Sequence, residues 1–118
     1  QLRQQTGIAA LTYFSDHGDE VFDTMEFVGH NDYHGTRPMY EVPMLFWFSD
    51  AYKNKYQDVP NAFTSRTYSL ENFAHTFAGM THIHFNGYEA SRNVLDSAYV
   101  ARKRTIKNGQ DYDLVKLK

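Results

Sequence analysis

Two apolar runs of the sequence are continuous enough to predict buried strands. The first covers Thr6 to Ser15 and the second covers Val42 to Ser49. Near-continuous apolar runs of this length are typical of strands that are covered on both faces, as in parallel sheets. After Ser69, a residue type favoured at helix N-caps, apolar positions from Leu70 to Met80 recur at helical spacing and predict a helix. Strands mixed with helices predict an α/β protein.

The polar segments predict a long loop and a C-terminal hairpin. Residues 18–43 are rich in Asp, Gly, His and Asn, which indicates an irregular connection. Loops of this length in compact domains are usually functional. Asn108-Gly109 is the preferred residue pair of a type I′ turn, so Arg104 to Lys107 and Tyr112 to Leu117 are predicted to pair as strands.

Composition narrows the class of protein without identifying it. The chain has 118 residues, a net charge of −2 and no cysteine. This length fits one domain, and the small charge gives no electrostatic case for a nucleic-acid partner, whose binding site is usually a basic patch. Without cysteine, a metal must be held by His, Asp or Glu. No apolar stretch approaches the roughly 20 residues of a membrane-spanning helix.

The main candidate for chemistry lies where the first apolar run ends, at Asp16 and His17. Open α/β sheets bind ligands at the carboxyl ends of their strands, and a carboxylate with an imidazole suits Zn²⁺. Neighbours on a strand point to opposite faces, so both side chains can bind one ion only where the strand breaks. Gly18 is expected to supply that break because it tolerates backbone angles that other residues avoid. An Asp capping a turn beside a surface histidine is an equally good interpretation of the dipeptide alone.

Other polar residues of the long loop are further candidates. His30 can fold back toward the strand tip to complete a metal or phosphate site, and His34 can line the cleft. Asp19 and Glu20 begin an acidic stretch with three open interpretations. The carboxylates can bind an ammonium group, support the metal ligands from outside their coordination shell, or only solvate the loop.

The run Tyr13 to Gly18 resembles the Y-x-S-D-H-G-E signature of bacterial phosphoethanolamine transferases, which belong to the sulfatase/alkaline-phosphatase superfamily. Phe27 to His30 resembles the downstream Gly-His element of this family, and Thr36 to Trp47 resembles the stretch before the next core strand. Asn72 to Gly79 resembles the late N-x-x-H-T-x-x-G helix, and Tyr99 to Asp113 the closing segment of the lipopolysaccharide-core branch. The resemblance covers nearly the whole chain.

The resemblance implies that residues 1–118 are the C-terminal portion of a periplasmic, sulfatase-like catalytic domain. The fold would be part of a doubly wound, alkaline-phosphatase-like sheet with helices and the C-terminal hairpin. The first residue is Gln1, and we expect a piece of a longer polypeptide that is anchored at the periplasmic face of the bacterial inner membrane. A partial sheet leaves apolar faces and edges exposed, so an oligomer or a companion segment is also expected.

The activity implied by the resemblance is a zinc-dependent transfer of phosphoethanolamine in two steps. A threonine held at Zn²⁺ takes the group from phosphatidylethanolamine, and a hydroxyl of lipid A or of a core sugar of lipopolysaccharide accepts it. By match, Asp16 and His17 are zinc ligands, and His30 is a catalytic residue that binds the phosphoryl group or a second zinc. Three more residues of the loop are assigned to substrate binding: Asp19, Glu20 and His34.

Two departures from the family pattern affect these expectations. Asp19 followed by Glu20 stands where the family has a single Glu, and the nucleophilic threonine and an acidic zinc ligand lie upstream of the matched region. The 118 residues alone are therefore expected to be inactive. The alternatives are another enzyme of the superfamily, namely a phosphoglycerol transferase, sulfatase or phosphodiesterase, or a non-catalytic module. Such a module would bind glycan or a partner protein through its aromatic residues, which make up 16% of the chain.

Overall fold

Short strands and helices make up the computed structural model, which describes residues 2–4, 6–31, 33, 35–57 and 63–117. The chain divides into two compact units, residues 1–10 with 48–113 and residues 11–47 with 114–118. In chain order the elements are β1 (Ala10–Phe14), β2 (Glu20–Val21), β3 (Val28–Gly29), α1 (Arg37–Tyr40), β4 (Met44–Phe48), α2 (Asp50–Tyr56) and α3 (Phe73–Thr81). Strands and helices are thus mixed along the chain, which agrees with the α/β prediction.

Each of the two apolar runs contains a strand, and β1 and β4 are neighbours in a two-stranded sheet. Both strands are shorter than the runs that predicted them. Their side chains are exposed or half-buried apart from Phe48, so the prediction of burial on both faces is wrong within the described residues. Strands of a parallel sheet are buried where helices cover both faces, and the described part of the chain supplies no such cover.

The long loop between β1 and β4 is more ordered than predicted. Strands β2 and β3 pair antiparallel, with Glu20 opposite Gly29 and Val21 opposite Val28. The one-turn helix α1 follows, with a proline in its first turn, where the missing N–H costs no helical hydrogen bond. Elements of two to four residues escape detection by hydrophobic periodicity, which needs windows of about 11 residues or more.

Helix α3 confirms the helix predicted over residues 70–80. A 3₁₀ turn at Leu70–Asn72 leads directly into it. Ser69 is the N-cap residue of this turn, as predicted, but its side chain makes no capping hydrogen bond. Ser49 is the serine that caps a helix, because its hydroxyl accepts a hydrogen bond from Tyr52 N at the start of α2. In the described part of the chain, no helix is both long enough and apolar enough to span a membrane.

The larger unit is held together by polar contacts inside its core. The Tyr52 hydroxyl donates to Met80 O at 2.7 Å and so joins α2 to α3. Thr76 of α3 is fully buried, and its hydroxyl oxygen accepts from Val94 N at 3.2 Å. The same hydroxyl lies 2.9 Å from the Tyr68 hydroxyl. Buried polar groups cost little when they are hydrogen-bonded in this way.

The C-terminal hairpin is confirmed at its turn and wrong in its length. Asn108 and Gly109 both have positive φ, 60° and 72°, as a type I′ turn requires. Around this turn Thr105 and Asp111 form a single antiparallel bridge, and the predicted strand from Tyr112 to Leu117 does not form. The turn chemistry is local, whereas strand length depends on a partner surface.

Tyr68 makes the stability of the folded chain depend on pH in the alkaline range. Burial raises the pKa of its phenol to about 12; the hydrogen bond to Thr76 opposes this and the neighbouring Tyr99 adds to it. An unfolded tyrosine titrates near pH 10. The raised pKa therefore contributes stability that is complete below about pH 10 and is lost as the pH rises toward about 12.

Absorbance titration of tyrosinate should show one tyrosine of the folded protein that ionises near pH 12. That step should vanish in Tyr68→Phe and persist in Tyr13→Phe, whose ring is exposed. An unchanged titration curve in Tyr68→Phe would contradict the assignment.

Candidate metal centre

Asp16 and His17 lie directly after β1, at the tip of the strand. Asp16 Oδ1 is 3.8 Å from His17 Nε2, and the two side chains are 89% and 45% exposed. Two ligands of one tetrahedral zinc, each at about 2.0–2.1 Å from the ion, are themselves about 3.3 Å apart. The two groups therefore face one another at nearly the spacing that one bound cation requires.

A second arrangement includes two residues from further along the chain. His17, Asp19 and His30 each offer a ligand atom, and these atoms lie within 4.8 Å of one another. We call these three residues the His–Asp cluster. His30 Nδ1 is 2.7 Å from Asp19 Oδ1, and His17 Nδ1 is 3.8 Å from the same oxygen. The two imidazole rings lie with their centroids 3.8 Å apart.

The β2–β3 hairpin brings His30 to the strand tip. Asp19 precedes β2 and His30 follows β3, and antiparallel pairing of Glu20 with Gly29 places both at the same end of the hairpin. Gly29 has φ of 107°, a conformation that other residues rarely adopt. The predicted return of this loop histidine to the strand tip therefore has a defined backbone cause.

Both imidazoles of the cluster have a hydrogen-bond partner at Nδ1. His17 Nδ1 lies 3.1 Å from Gly18 O, and His30 Nδ1 lies 2.7 Å from Asp19 Oδ1. These oxygens accept hydrogen bonds, so the partners assign the proton of each neutral ring to Nδ1 and leave a lone pair on Nε2. Metal-binding histidines commonly donate their second N–H to a carbonyl or carboxylate in this way. The donor set thus fits a zinc ion bound through Nε2.

The described residues supply only part of a zinc coordination shell. A structural zinc site has four protein ligands, whereas a catalytic site has three and keeps one position for water or substrate. Asp16 with His17 offers two ligands, and the His–Asp cluster offers three. All four side chains are about half exposed or more, so a substrate or a further segment can reach them.

Glu20 does not lie where the sequence placed it. It is fully buried, and its Oε1 accepts from Thr24 N at 2.6 Å. Its Oε2 accepts from the hydroxyls of Thr24 at 2.8 Å and Thr36 at 2.7 Å. Because both oxygens are engaged inside the fold, the assignment of Glu20 to substrate binding is corrected to a supporting position beneath the cluster.

The buried carboxylate of Glu20 is ionised at neutral pH. Burial by itself raises its pKa, but the hydrogen bonds from Thr24, Thr36 and the Asp23 backbone outweigh burial and lower the pKa to about 2. A carboxylate that accepts several hydrogen bonds is stabilised in its charged form. The loop is therefore built around a fixed negative charge.

The other two residues assigned to substrate binding have different outcomes. His34 lies outside the described residues. Asp19 contacts His30 and belongs to the His–Asp cluster, a position compatible with one of its three open interpretations, the support of a metal ligand. Nothing in its spacing from His30 could have shown this, because the contact depends on a hairpin of two paired residues on each side.

Position 18 requires a glycine because there is no space for a side chain, and not because of its backbone angles. It is absent from the positive-φ residues of the described chain, so the predicted reason for a glycine here is wrong. A Cβ at this position would overlap the carbonyl oxygen of Pro38 and lie 2.9 Å from that of Glu41. Gly18 N also donates to Met39 O at 3.1 Å. The strand tip is therefore held directly against the backbone of α1.

Comparison with known families and proteins places this geometry in context. The family model described as Sulfatase matches residues 1–83. The phosphoethanolamine transferase EptC of Escherichia coli is 34% identical over 100 residues, which are 83% of this chain. The phosphoethanolamine transferase CptA of Salmonella typhimurium is 33% identical over the same share. The chain spans 17% of the length of these relatives.

A solved structure resembles the fold closely. The C-terminal periplasmic domain of EptC from Escherichia coli superimposes with a TM-score of 0.82 at 33% identity, over 90% of this chain and 32% of that one. The same domain has also been solved as a complex with Zn, with the same TM-score of 0.82. The partial, sulfatase-like α/β fold predicted from the sequence is thereby confirmed.

Gly18→Ala should destabilise the fold and weaken metal binding together. Its methyl group must displace either the strand tip or α1, and overpacking of this kind costs roughly 1–3 kcal/mol. Thermal unfolding and a zinc titration measure the two effects. Gly7→Ala is the matched control, because a Cβ there meets no atom within 4 Å. Equal unfolding temperatures for both variants would show that Gly18 has room to spare.

Proposed function

Because this chain belongs to the sulfatase family, we propose that it is the C-terminal portion of a zinc-dependent catalytic domain that transfers phosphoethanolamine. The observation that carries the proposal is the convergence of His17, Asp19 and His30 in a chain that is 34% identical to a phosphoethanolamine transferase. The Zn complex of the similar EptC domain supports the choice of metal. A site of nitrogen and oxygen donors without cysteine also suits zinc.

In this proposal Asp16 and His17 hold the catalytic zinc, through Asp16 Oδ1 and His17 Nε2. A bound zinc ion supplies Lewis acidity, which lowers the pKa of a hydroxyl nucleophile and neutralises charge on a phosphoryl group. The Gly18 carbonyl keeps the His17 ring in the tautomer that can bind. Each of these contributions comes from residues within one short turn after β1.

His30 is proposed to bind the phosphoryl group or a second zinc through Nε2. Asp19 holds the opposite ring nitrogen at 2.7 Å and so fixes the direction of this imidazole. The Nε2 lone pair of this imidazole can bind a zinc ion without reorganisation, whereas donation from Nε2 to a phosphoryl oxygen requires a proton on both ring nitrogens. His34 stays a proposed substrate-binding residue on the grounds of its sequence position alone.

The proposed reaction takes phosphoethanolamine from phosphatidylethanolamine to a hydroxyl of lipid A or of a lipopolysaccharide core sugar. The intermediate would be a phosphothreonine whose threonine lies upstream of the matched region. Its formation would break the P–O bond to diacylglycerol, which leaves as the alcohol, and the acceptor hydroxyl would then displace the threonine oxygen from phosphorus. The site would lie at the periplasmic face of the bacterial inner membrane, and the periplasmic location of the similar EptC domain supports this.

The remainder of the catalytic domain is proposed to cover the open faces of β1 and β4. Tyr13 is 63% exposed and Leu45 is 52% exposed, although both lie on these apolar strands. The matched EptC domain has further chain that could supply such cover, since only 32% of it is matched. An oligomer is the alternative source of cover.

Zinc analysis and a transfer assay on the full-length protein test the proposal together. The wild type should bind zinc and transfer the head group from labelled phosphatidylethanolamine. His17→Ala and Asp16→Asn should each lose at least tenfold in both zinc affinity and rate, because losing even an outer partner of a metal ligand typically costs 10–100-fold. The 118-residue chain alone should transfer nothing.

Asp23→Asn is the matched control, since this exposed carboxylate lies on the same loop outside the His–Asp cluster. A zinc-loaded wild type that hydrolyses a sulfate ester or transfers phosphoglycerol, but not phosphoethanolamine, would favour another activity of the superfamily. Full ligand binding by a metal-free protein would favour a glycan- or partner-binding module instead.

A further inference from the structure

We propose that Glu20 is a positioning residue whose buried carboxylate fixes the β2–β3 hairpin, so that Asp19 and His30 meet at the strand tip. The inference rests on the proposed function only where enzyme activity is measured. Its other consequences concern the geometry of the cluster and the binding of zinc, and they can be tested without any substrate.

The carboxylate of Glu20 joins three separate segments of the loop. Glu20 itself lies in β2, Thr24 lies in the turn between β2 and β3, and Thr36 lies just before α1. The hydrogen bonds that connect them are 2.6–2.8 Å long. Glu20 is 0% and Thr36 is 2% exposed, so water does not compete for the contact between these two side chains. One side chain of β2 therefore connects the turn of the hairpin with the start of α1.

The position of Glu20 links it to both halves of the Asp19–His30 contact. Asp19 is its neighbour along the chain, and its partner across the hairpin, Gly29, is the neighbour of His30. A shift of Glu20 must therefore move the two residues whose side chains lie 2.7 Å apart. Neighbouring side chains on a strand point to opposite faces, which lets Asp19 face the cluster while Glu20 faces the interior.

A carboxylate suits this position better than other polar groups. Its partners are the backbone N–H groups of Thr24 and Asp23 and the hydroxyls of Thr24 and Thr36, and all of them donate to it. An ionised carboxylate only accepts, and its two oxygens serve these several donors. Removal of one partner leaves a buried polar group unsatisfied, which costs more than an exposed hydrogen bond would.

The exposed side chains of the His–Asp cluster do not explain how the geometry of the cluster is held. The Asp19–His30 pair is about half exposed on both sides, and exposed ion pairs contribute little to stability. The geometry of the cluster must therefore be held from elsewhere. The buried carboxylate of Glu20 supplies such a support, because it joins β2 to the turn of the hairpin and to the residue before α1.

The test compares two variants that break this connection in the full-length protein. Thr36→Val keeps the shape of the side chain and removes one hydroxyl donor, and Glu20→Ala removes the acceptor. Each should weaken zinc binding about tenfold in a chelator competition, the lower end of the effect of supporting residues at metal sites. In ¹⁵N-labelled protein, the His30 ring nitrogens should lose the signature of a single Nδ1–H tautomer, even without metal.

Two control variants separate positioning from a general loss of stability. Tyr68→Phe removes a hydrogen bond of the other unit, and Glu26→Gln changes an exposed carboxylate on the same hairpin. Neither should change zinc affinity or the His30 ring signals. Glu20→Gln keeps one acceptor oxygen and should restore most of the affinity that Glu20→Ala loses.

The inference fails if Thr36→Val, folded as well as Tyr68→Phe, keeps wild-type zinc affinity and wild-type His30 ring signals. If Glu20→Ala does not fold, Thr36→Val alone decides. Failure of the proposed function looks different, because the wild type itself would then show no transfer while the His30 ring signals still report on the Glu20 contacts.

Discussion

The candidate site depends on one contact, the 2.7 Å hydrogen bond between Asp19 Oδ1 and His30 Nδ1. It joins residues that are 11 positions apart, across the open end of the β2–β3 hairpin. With this contact in place, the His30 ring lies 3.8 Å from the His17 ring, and Nε2 of each is left to bind a ligand. Without it, the strand tip would offer only Asp16 and His17, which are neighbours on an exposed turn.

The site divides its tasks between exposed and buried groups. Its ligand atoms are exposed enough for a metal and a phosphoryl group to reach them, and exposed charge pairs add little stability. The site is held in place by the hydrogen bonds of the buried Glu20 and by the close approach of Gly18 to α1. Preorganised donors of this kind are what electrostatic catalysis requires, because they need not rearrange when charge develops.

Sequence reasoning located the long elements and the site, but not the parts that hold the site. The apolar runs predicted β1 and β4, helical spacing predicted α3, and Asn108-Gly109 predicted its turn, because each signal is local and strong. The two-residue strands are too short for any periodicity. The sequence assigned Glu20 to substrate binding and Gly18 to a special backbone angle. Burial of Glu20 beside threonines and contact of Gly18 with a distant backbone could not be predicted, because both are properties of the folded chain.

The central claim is that His17 and the carboxylates and imidazole around it form a zinc site at the tip of β1. Anomalous diffraction at the zinc edge, from crystals of the full-length protein, tests this claim most directly. We predict a peak at about 2.0–2.1 Å from a His17 ring nitrogen, with an oxygen of Asp16 or Asp19 at bonding distance. A zinc ion bound elsewhere, with the rings of His17 and His30 both remote from it, would contradict the account.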